Sequence, residues 1–331
     1  MINRIDKVRD ILLIKGLDAI LICKPENIRY ISGFTGTTGY VIITKTDAQF
    51  ITDFRYLEQA QKECVGFSII EISNREALID LIKNLHPSSL GVEEEFFTYG
   101  DATALQLNIK STSLVKLRGA LTKIRSIKEE GELKLIEKAA RIGDKAFEHI
   151  LNFIKPGISE IDISIELDFY MRKSGSSGAS FDFIVASGTR SSLPHGVASK
   201  KIIEKGDFVT LDFGCIYDGY CSDMTRTVVV GKANDRQREI YSLVLKAQET
   251  ALQAVKPGIS GIELDSIARG IISSEGYGNY FGHGLGHGVG LEIHELPNIN
   301  SRGDVRMESG MVITIEPGIY IPGFGGVRIE D

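Results

Sequence analysis

The sequence predicts an α/β domain at the N-terminus, followed by an α+β domain that is built from two related halves. Three observations predict this fold class. The 331 residues exceed the ordinary size of one domain. The first third alternates strand-like and helical apolar patterns, and the remainder repeats two phrases in the same order. The expected limits are 1–122 for the first domain and 123–331 for the second.

Alternating periodicities predict the elements of the first domain. The predicted strands are Ala19–Cys23, Tyr40–Thr44, Gln49–Thr52 and Ser89–Val92, and the predicted helices are 3–15, 54–64, 74–86 and 98–108. Segment 32–39 is rich in Gly and Thr but lacks the spacing of a phosphate-binding loop. We therefore expect it to be a structural connection between two strands, or a loop that faces the other domain.

A long amphipathic helix is predicted at the start of the second domain. Ser126 followed by Glu129 has the spacing of a capping box, with Ser126 at the N-cap. Apolar residues then recur at steps of three and four, and Pro156 and Gly157 end the helix.

Two phrases of the second domain occur twice. Lys155–Ser159 recurs unchanged as Lys256–Ser260, and Glu204–Asp212 resembles Glu308–Glu316, at offsets of 101 and 104 residues. Chance reuse of a helix-ending phrase explains one match but not two in order. Two halves are therefore expected, each with two helices followed by strands. Asp212 and Glu316 occupy corresponding places, and each half adds an upstream histidine and a second downstream carboxylate.

The first pair of acidic residues lies on a predicted hairpin. Asp218-Gly219 is a strong signal for a two-residue turn. This turn places Asp223 opposite Gly214, on the same face as Asp212 and diagonal to it. Two acidic residues on a solvated strand are the alternative interpretation. Asp212, however, lies in an apolar run, where an unpaired carboxylate is costly unless a cation compensates it.

Three of the six histidines, His283, His287 and His294, fall within twelve residues. Glycines at every second position from 282 to 290 favour a strand or loop there rather than a helix. A lone histidine would more often be a core or loop residue, whereas this cluster favours a site. One histidine with four carboxylates suits Mn²⁺, Fe²⁺ or Co²⁺. Four carboxylates also balance two divalent ions, which together can activate water.

The residues of this predicted site stand in five motifs that resemble those of the pita-bread metallopeptidases. The motifs are Leu211-Asp212-Phe-Gly, Ser222-Asp223-Met-Thr-Arg-Thr, Gly282-His283-Gly-Leu-Gly-His287-Gly-Val-Gly-Leu-Glu-Ile-His294-Glu, Thr314-Ile-Glu316-Pro-Gly and Gly326-Val-Arg328-Ile-Glu330-Asp. Segments 27–36 and 51–56 resemble the creatinase-type N-terminal domain. The resemblance covers nearly the whole chain and implies a pita-bread fold for the second domain.

Within that family, the two-domain form implies a peptidase that cleaves between an N-terminal residue and proline, of the aminopeptidase P or prolidase type. The resemblance implies five metal ligands: Asp212, Asp223, His287, Glu316 and Glu330. It implies that His195, His294 and Glu316 act on the substrate, and that His283 and Arg328 orient the ligands. It also implies two divalent ions, Mn²⁺ first with Co²⁺, Fe²⁺ or Zn²⁺ as alternatives. Small peptides with proline at the second position are the implied substrates, and a homodimer is the implied assembly.

Two departures from the family pattern affect these expectations. The chain ends one residue after Glu330, whereas relatives continue, so a truncated C-terminal strand is expected. Asn298 stands where many prolidases have an arginine that grips a dipeptide carboxylate, which favours longer peptides. Two alternatives stay open: an enzyme like methionine aminopeptidase, and a catalytically inactive relative that acts as a binding module.

Composition excludes several other classes of protein. The formal net charge of −6 argues against nonspecific binding to nucleic acid. The chain has no apolar run as long as a membrane span, and its N-terminus lacks the apolar region of a signal peptide. We therefore expect a cytoplasmic protein without a membrane partner. The four cysteines show no CxxC spacing, so reduced thiols are expected rather than a thiolate metal site.

Overall fold

The computed structural model describes residues 4–331, which divide into two compact units between Arg125 and Ser126. Among these residues, no helix is long and apolar enough to cross a membrane. No disulfide bond joins the four cysteines, and three of them are buried.

The first unit is an α/β sandwich around one mixed sheet. Its elements are α1 (Arg4–Lys15), β1 (Ala19–Ile22), α2 (Pro25–Ser32), β2 (Tyr40–Thr44), β3 (Ala48–Thr52), α3 (Leu57–Glu63), β4 (Ser68–Glu71), α4 (Arg75–Asn84), β5 (Ser89–Val92), α5 (Tyr99–Asn108), β6 (Ser113–Lys116) and α6 (Ala120–Ser126). The sheet order is β4-β3-β2-β1-β5-β6. β1, β5 and β6 are parallel, as are β3 and β4, while β2 is antiparallel to both of its neighbours. Helices α4 and α5 bury apolar residues on this sheet.

The four predicted strands of this unit are confirmed to within one residue at each end. The helix predicted at 3–15 is confirmed from Arg4, its first residue lying outside the described part of the chain. The predicted connection between two strands at 32–39 is wrong at its start, because α2 runs to Ser32 and the segment joins a helix to β2. Strands β4 and β6 were not predicted. Both are four-residue edge strands with exposed ends, so their apolar signal is short.

The second unit contains four long helices and ten strands within residues 126–331. They are α7 (Glu130–Leu151), α8 (Glu160–Lys173), β7 (Gly178–Ala179), β8 (Ile184–Ser187), β9 (Phe208–Phe213), β10 (Cys215–Tyr217), β11 (Tyr220–Cys221), β12 (Met224–Val229), α9 (Asp235–Ala254), α10 (Gly261–Ser274), β13 (Gly286–Gly288), β14 (Glu295–Ile299), β15 (Gly318–Ile321) and β16 (Gly325–Arg328). One apolar core packs around α7 and α8 and another around α9 and α10, so each half buries its own helix pair.

The N-cap predicted at Ser126 is wrong. Ser126 is the last residue of α6, and its helical backbone cannot also begin the next helix. Helix α7 begins at Glu130 after an N-cap at Glu129, whose N–H donates to the Glu132 carboxylate at 2.9 Å. The capping box is therefore present, three residues later than the sequence suggested.

The repeated phrase Lys-Pro-Gly-Ile-Ser folds in the same way in both halves. Ser159 caps α8 and Ser260 caps α10, each in a capping box. Gly157 and Gly258 have φ values of 97° and 92°, a region that favours glycine. Their N–H groups donate to carbonyl oxygens at matching places, at 3.0 and 2.8 Å. The predicted internal repeat is thus present in the backbone geometry.

The predicted hairpin has the predicted register. Tyr217 pairs with Tyr220 next to a turn at Asp218 and Gly219, and Met224 pairs with Phe213 further along. Both φ values in the turn are positive, at 45° and 80°, as in a type I′ turn. Each arm of this hairpin is divided into two short strands, β9 and β10 on one side of the turn and β11 and β12 on the other, with the break at Gly214 and opposite it. A Cβ atom there would overlap the carbonyl oxygen of Ser222, so the chains approach too closely at this point for any residue but glycine.

The second half repeats this arrangement around Glu316. Glu316 donates its N–H to the carbonyl oxygen of Leu285 at 2.7 Å, as Asp212 pairs with Ile184 in the first half. The residues next to Glu316 and Glu330 are joined by backbone hydrogen bonds, from Ile315 N–H to Asp331 and from Ile329 N–H to Pro317, so Glu330 lies opposite Glu316. In the first half, the residue opposite Asp212 is Thr225. The counterpart of Glu330 is therefore Thr225. Asp212 and Glu316 correspond, but the second carboxylates of the two halves do not.

Candidate metal centre

The five predicted ligands converge on one cavity of about 530 Å³ within the second unit. Asp212 lies on β9, His287 on β13, and the other three lie in irregular backbone beside strand ends. Asp223 directly precedes β12, Glu316 comes shortly before β15, and Glu330 follows β16. Three regions that are far apart in sequence, 212–223, 287 and 316–330, thus deliver the five ligands to one place.

The His287 ring is oriented as a metal ligand. Its Nδ1 lies 3.1 Å from the carbonyl oxygen of Gly288, and a carbonyl only accepts, so Nδ1 carries the proton. Nε2 lies 3.6 Å from Asp223 Oδ2 and 3.4 Å from Glu316 Oε1. Burial lowers the pKa of His287 to about 4, so its Nε2 lone pair faces two carboxylates near neutral pH. A metal cation between these three groups, or a proton retained by one of the carboxyl groups, would stabilise this arrangement.

Asp223, His287 and Glu330 form the tightest group of donors, since one donor atom from each lies within 4.8 Å of the others. Asp223 Oδ1 is buried and has no hydrogen-bond partner within residues 4–331. A buried carboxylate oxygen without a partner is costly. A cation at this point would satisfy it.

All four carboxyl groups resist ionisation in the metal-free site. Burial raises the pKa of Glu316 to about 8, and the nearby charge of Asp212 adds to the effect. Burial also raises the pKa values of Asp223 and Glu330 well above their ordinary values, and repulsion from the other carboxylates contributes. Burial raises the pKa of Asp212 too, although Arg328 opposes it. Divalent cations would relieve both the burial cost and the repulsion.

Arg328 and His283 belong to one buried hydrogen-bonded chain beside the ligands. Arg328 Nη2 donates to Asp212 Oδ2, and its Nη1 donates to the Tyr320 hydroxyl at 2.8 Å. That hydroxyl lies 2.8 Å from His283 Nε2. Because His283 Nδ1 donates to the carbonyl oxygen of Gly284 at 2.7 Å, its Nε2 accepts from Tyr320. Arg328 therefore holds Asp212 in place and is held in turn by Tyr320.

Two threonine hydroxyls, which the sequence did not single out, also fix ligands. Thr225 Oγ1 donates to Glu330 Oε2 at 2.6 Å and accepts from Arg328 Nε at 3.0 Å. Thr314 Oγ1 accepts the N–H of His287 at 3.1 Å and lies 3.5 Å from Glu316 Oε1. Each threonine is two residues from a ligand on an extended segment. That spacing puts two side chains on the same face, so it was a usable signal.

His195 and His294 lie in the wall of the same cavity and are exposed to it. The His294 ring packs edge-on against His287, with 4.3 Å between ring centroids. Asn298, which the sequence singled out, also lies in the wall. No role was predicted from the sequence for the other side chains of the wall, which are Phe181, Asp182, Ile184, Pro194, Val197, Ile293 and Asn300. The buried ligands thus lie at the floor, and two exposed imidazoles lie where a bound molecule would contact them.

These residues fit a divalent metal centre. The donor set is four carboxylates and one neutral imidazole, the hard ligands that Mn²⁺, Fe²⁺ and Co²⁺ accept. The unpartnered Asp223 oxygen and the facing acceptors at His287 are the structural observations that call for cations. Every residue predicted for the site lines this one cavity.

Comparisons with known proteins agree with this geometry. Residues 134–331 match Metallopeptidase family M24, and residues 4–127 match the Creatinase/Prolidase N-terminal domain. The chain is 43% identical over 334 residues to a Xaa-Pro dipeptidase from Pyrococcus horikoshii, covering all of this chain and 93% of that protein.

Solved structures show the same relationship. A Xaa-Pro dipeptidase from Bacillus anthracis is 50% identical, with a TM-score of 0.96 over 99% of this chain and 93% of that one. An X-Pro aminopeptidase from Thermotoga maritima is 40% identical, with a TM-score of 0.88 over 95% and 92% of the two chains. The resemblance seen in the motifs is thereby confirmed. The chain belongs to metallopeptidase family M24, whose members use divalent metal ions, and carries a creatinase/prolidase-type N-terminal domain.

Proposed function

We propose that this chain hydrolyses the amide bond between an N-terminal residue and proline, with two Mn²⁺ ions bound at the five ligands. One observation carries the metal-dependent part of the proposal: the neutral Nε2 of His287 faces Asp223 and Glu316 at 3.6 and 3.4 Å. The names of the relatives, dipeptidases and an aminopeptidase that act on Xaa-Pro bonds, support the choice of substrate.

The chain's own residues have distinct tasks in this proposal. Asp212, Asp223 and Glu330 would hold one ion, and His287 and Glu316 would hold the other, with Asp223 and Glu330 shared. Bound ions of this kind act as Lewis acids and lower the pKa of water.

His195 and His294 would donate hydrogen bonds to the peptide carbonyl and stabilise the negative charge that develops on its oxygen. Both rings are exposed to the cavity while the ligands are buried, so they can reach a substrate. Glu316 would accept a proton from the attacking water molecule and pass it to the leaving proline nitrogen.

A proline nitrogen suits the apolar part of this cavity. An Xaa-Pro amide has no N–H group, so a wall without an acceptor for that group can accept it. Phe181, Ile184, Val197 and Ile293 supply such a wall beside the ligands. A bulky ring without a donor therefore has a surface to contact.

A second candidate substrate, the longer Xaa-Pro-Yaa peptide, is favoured by one feature of the cavity. Arg328 is the one lysine or arginine among the residues that line it, and Arg328 is buried and engaged by Asp212 and Tyr320. Asn298 in the wall is neutral. The cavity wall thus offers no free lysine or arginine to pair with the C-terminal carboxylate of a bound dipeptide. In a longer peptide, that carboxylate would lie outside the cavity and would need no such partner.

The test compares Leu-Pro, Leu-Pro-Ala, Leu-Ala-Ala and Met-Ala-Ser with Mn²⁺-loaded protein. We expect release of leucine from the two proline peptides only, and its loss in His287→Ala. His86→Asn is the matched control, because His86 is an exposed histidine of the first unit. Metal-loaded protein that cleaves none of the peptides would indicate a binding module. Cleavage of Met-Ala-Ser alone would indicate a methionine aminopeptidase.

Two further properties belong to the same proposal. We expect a homodimer in the cytoplasm, as the resemblance implies. Sedimentation of the purified chain measures the assembly, and a monomer at micromolar concentration would contradict it.

A further inference from the structure

A second cavity, of about 340 Å³, lies wholly within the first unit. It opens at the carboxyl end of β1, where Cys23 follows the strand, and beside Phe97 in the segment that follows β5. In open α/β sheets, ligands bind in crevices outside the carboxyl ends of the strands. The volume also falls in the range of small-molecule sites.

The floor of this cavity is apolar. Leu21 from β1, Leu78 and Ile82 from α4, and Leu105 from α5 line it, and each of these residues is buried. An apolar side chain of moderate size would therefore lose contact with water there.

The rim carries one positive and one negative charge. Arg75, the first residue of α4, forms an ion pair with Asp101 in the first turn of α5. Their side chains are 51% and 23% exposed. Burial raises the pKa values of Cys23 and Tyr40, two other lining residues, and the charge of Arg75 opposes that rise. Arg75 therefore lines the cavity as well as pairing with Asp101.

We propose that this cavity binds a free apolar α-amino acid, with its side chain on the floor, its carboxylate on Arg75 and its ammonium group on Asp101. A simple anion would be repelled by the carboxylate of Asp101, and a simple cation would be repelled by the guanidinium group of Arg75. A zwitterion with an apolar side chain satisfies both charges and the floor together. Because partly exposed ion pairs are weak, the ligand can insert into the Arg75–Asp101 pair at little cost.

Xaa-Pro hydrolysis releases the N-terminal residue as a free amino acid, which fits this cavity when its side chain is apolar, and this link alone rests on the proposed function. Binding itself requires no catalysis. The cavity would then report the level of a reaction product through a site built entirely from the first unit.

Calorimetric titration of the full chain with L-leucine tests the proposal. The protein is treated with chelator, so that metal ions cannot hold the amino acid in the second unit. We expect saturable binding, weakened about tenfold or more in Arg75→Gln, which removes a charge-assisted bidentate contact. Lys83→Gln is the matched control, because it removes one cation from the same helix at an exposed position that does not line the cavity. Leu78→Phe, which fills the floor and leaves the ion pair, should also abolish binding.

Ligand analogues and cross-linking locate the site. N-acetyl-leucine lacks the ammonium group and leucinamide lacks the carboxylate, so both should bind at least tenfold more weakly than leucine. A diazirine analogue of leucine should label peptides within 75–105 on irradiation. Equal binding of either analogue, full binding by Arg75→Gln, or labelling confined to the second unit would overturn the proposal. Peptide hydrolysis, measured separately on the Mn²⁺-loaded chain, tests the proposed function and leaves this result unaffected.

Discussion

Replacing Thr225 by valine should weaken metal binding while preserving the shape of the side chain. Thr225 is fully buried, and its hydroxyl donates to the Glu330 carboxylate at 2.6 Å while accepting from Arg328 at 3.0 Å. A hydrogen bond to a charged group contributes about 1.5–3 kcal/mol. Loss of the bond to Glu330 therefore corresponds to a decrease of roughly 10- to 150-fold in Mn²⁺ affinity, at about 1.4 kcal/mol per factor of ten. Residues that orient metal ligands commonly have effects of this size.

Thr210→Val is the matched control for this variant. Thr210 is buried in the same sheet, but its hydroxyl contacts only neutral groups, the Thr227 hydroxyl at 3.3 Å and a carbonyl oxygen at 3.4 Å. We expect it to lose about 1 kcal/mol of unfolding free energy and to bind Mn²⁺ normally. Competition with a fluorescent chelator measures affinity, and denaturant unfolding measures stability. Normal Mn²⁺ affinity in Thr225→Val, or an equal loss in Thr210→Val, would refute the assignment of Thr225 as a residue that orients Glu330.

Three further predictions follow from the site. Burial raises the pKa of Glu316 from 4.5 to about 8, so the metal-free folded chain retains a proton that the unfolded chain releases. Its contribution to stability is complete below about pH 4.5 and is lost as the pH rises through about 8. Mn²⁺ binding at pH 6.5 should release protons, which calorimetry in buffers of different ionisation enthalpy measures, and the absence of release would contradict this. Gly214→Ala should lower the unfolding free energy by about 1–3 kcal/mol or more, since its Cβ overlaps a backbone carbonyl, and should weaken Mn²⁺ binding. Gly131→Ala, where a Cβ atom meets nothing within 4 Å, should instead gain about 0.5–1 kcal/mol, and equal unfolding midpoints would be inconsistent with the packing described. Asn298→Arg adds a cation to the cavity wall and should raise the kcat/KM ratio of Leu-Pro to Leu-Pro-Ala about tenfold. Asn152→Arg, outside the cavity, should leave the ratio unchanged, and the same ratio in both variants would argue against Asn298 as the determinant.

Local signals in the sequence predicted the parts of the fold that depend on neighbouring residues. The Asp218-Gly219 turn predicted the register of its hairpin, because a two-residue loop allows only one pairing of the residues in its two strands. The repeated Lys-Pro-Gly-Ile-Ser phrase predicted two equivalent helix caps, and Ser159 and Ser260 both form them. Ser126 misled the prediction because serine also occurs as the last residue of helices, which is its place in α6.

For the candidate site, the sequence predicted the ligands but not all of the residues that hold them in place. The family resemblance of five motifs implied these ligands, and the apolar run around Asp212 and the clustered histidines independently favoured a site there. Thr225 and Tyr320 were missed, because threonine and tyrosine are ordinary in strands and their partners lie far away in sequence. The two-residue spacing of Thr225 from Asp223 places it at the site, but its partner Glu330 lies 105 positions away, and no local pattern identifies that partner.

The sequence by itself determined the fold class and the duplicated halves, since each depends on residue type, spacing or a local turn, while the family resemblance of its motifs implied which residues are the metal donors. Only the tertiary structure decided which donors lie together and how they are held. His287 faces Asp223 and Glu316, and Glu330 corresponds to Thr225 rather than to Asp223. The physical reason is that distance and burial depend on how separate strands pack, and these two quantities set the charge state of every carboxyl group in the site.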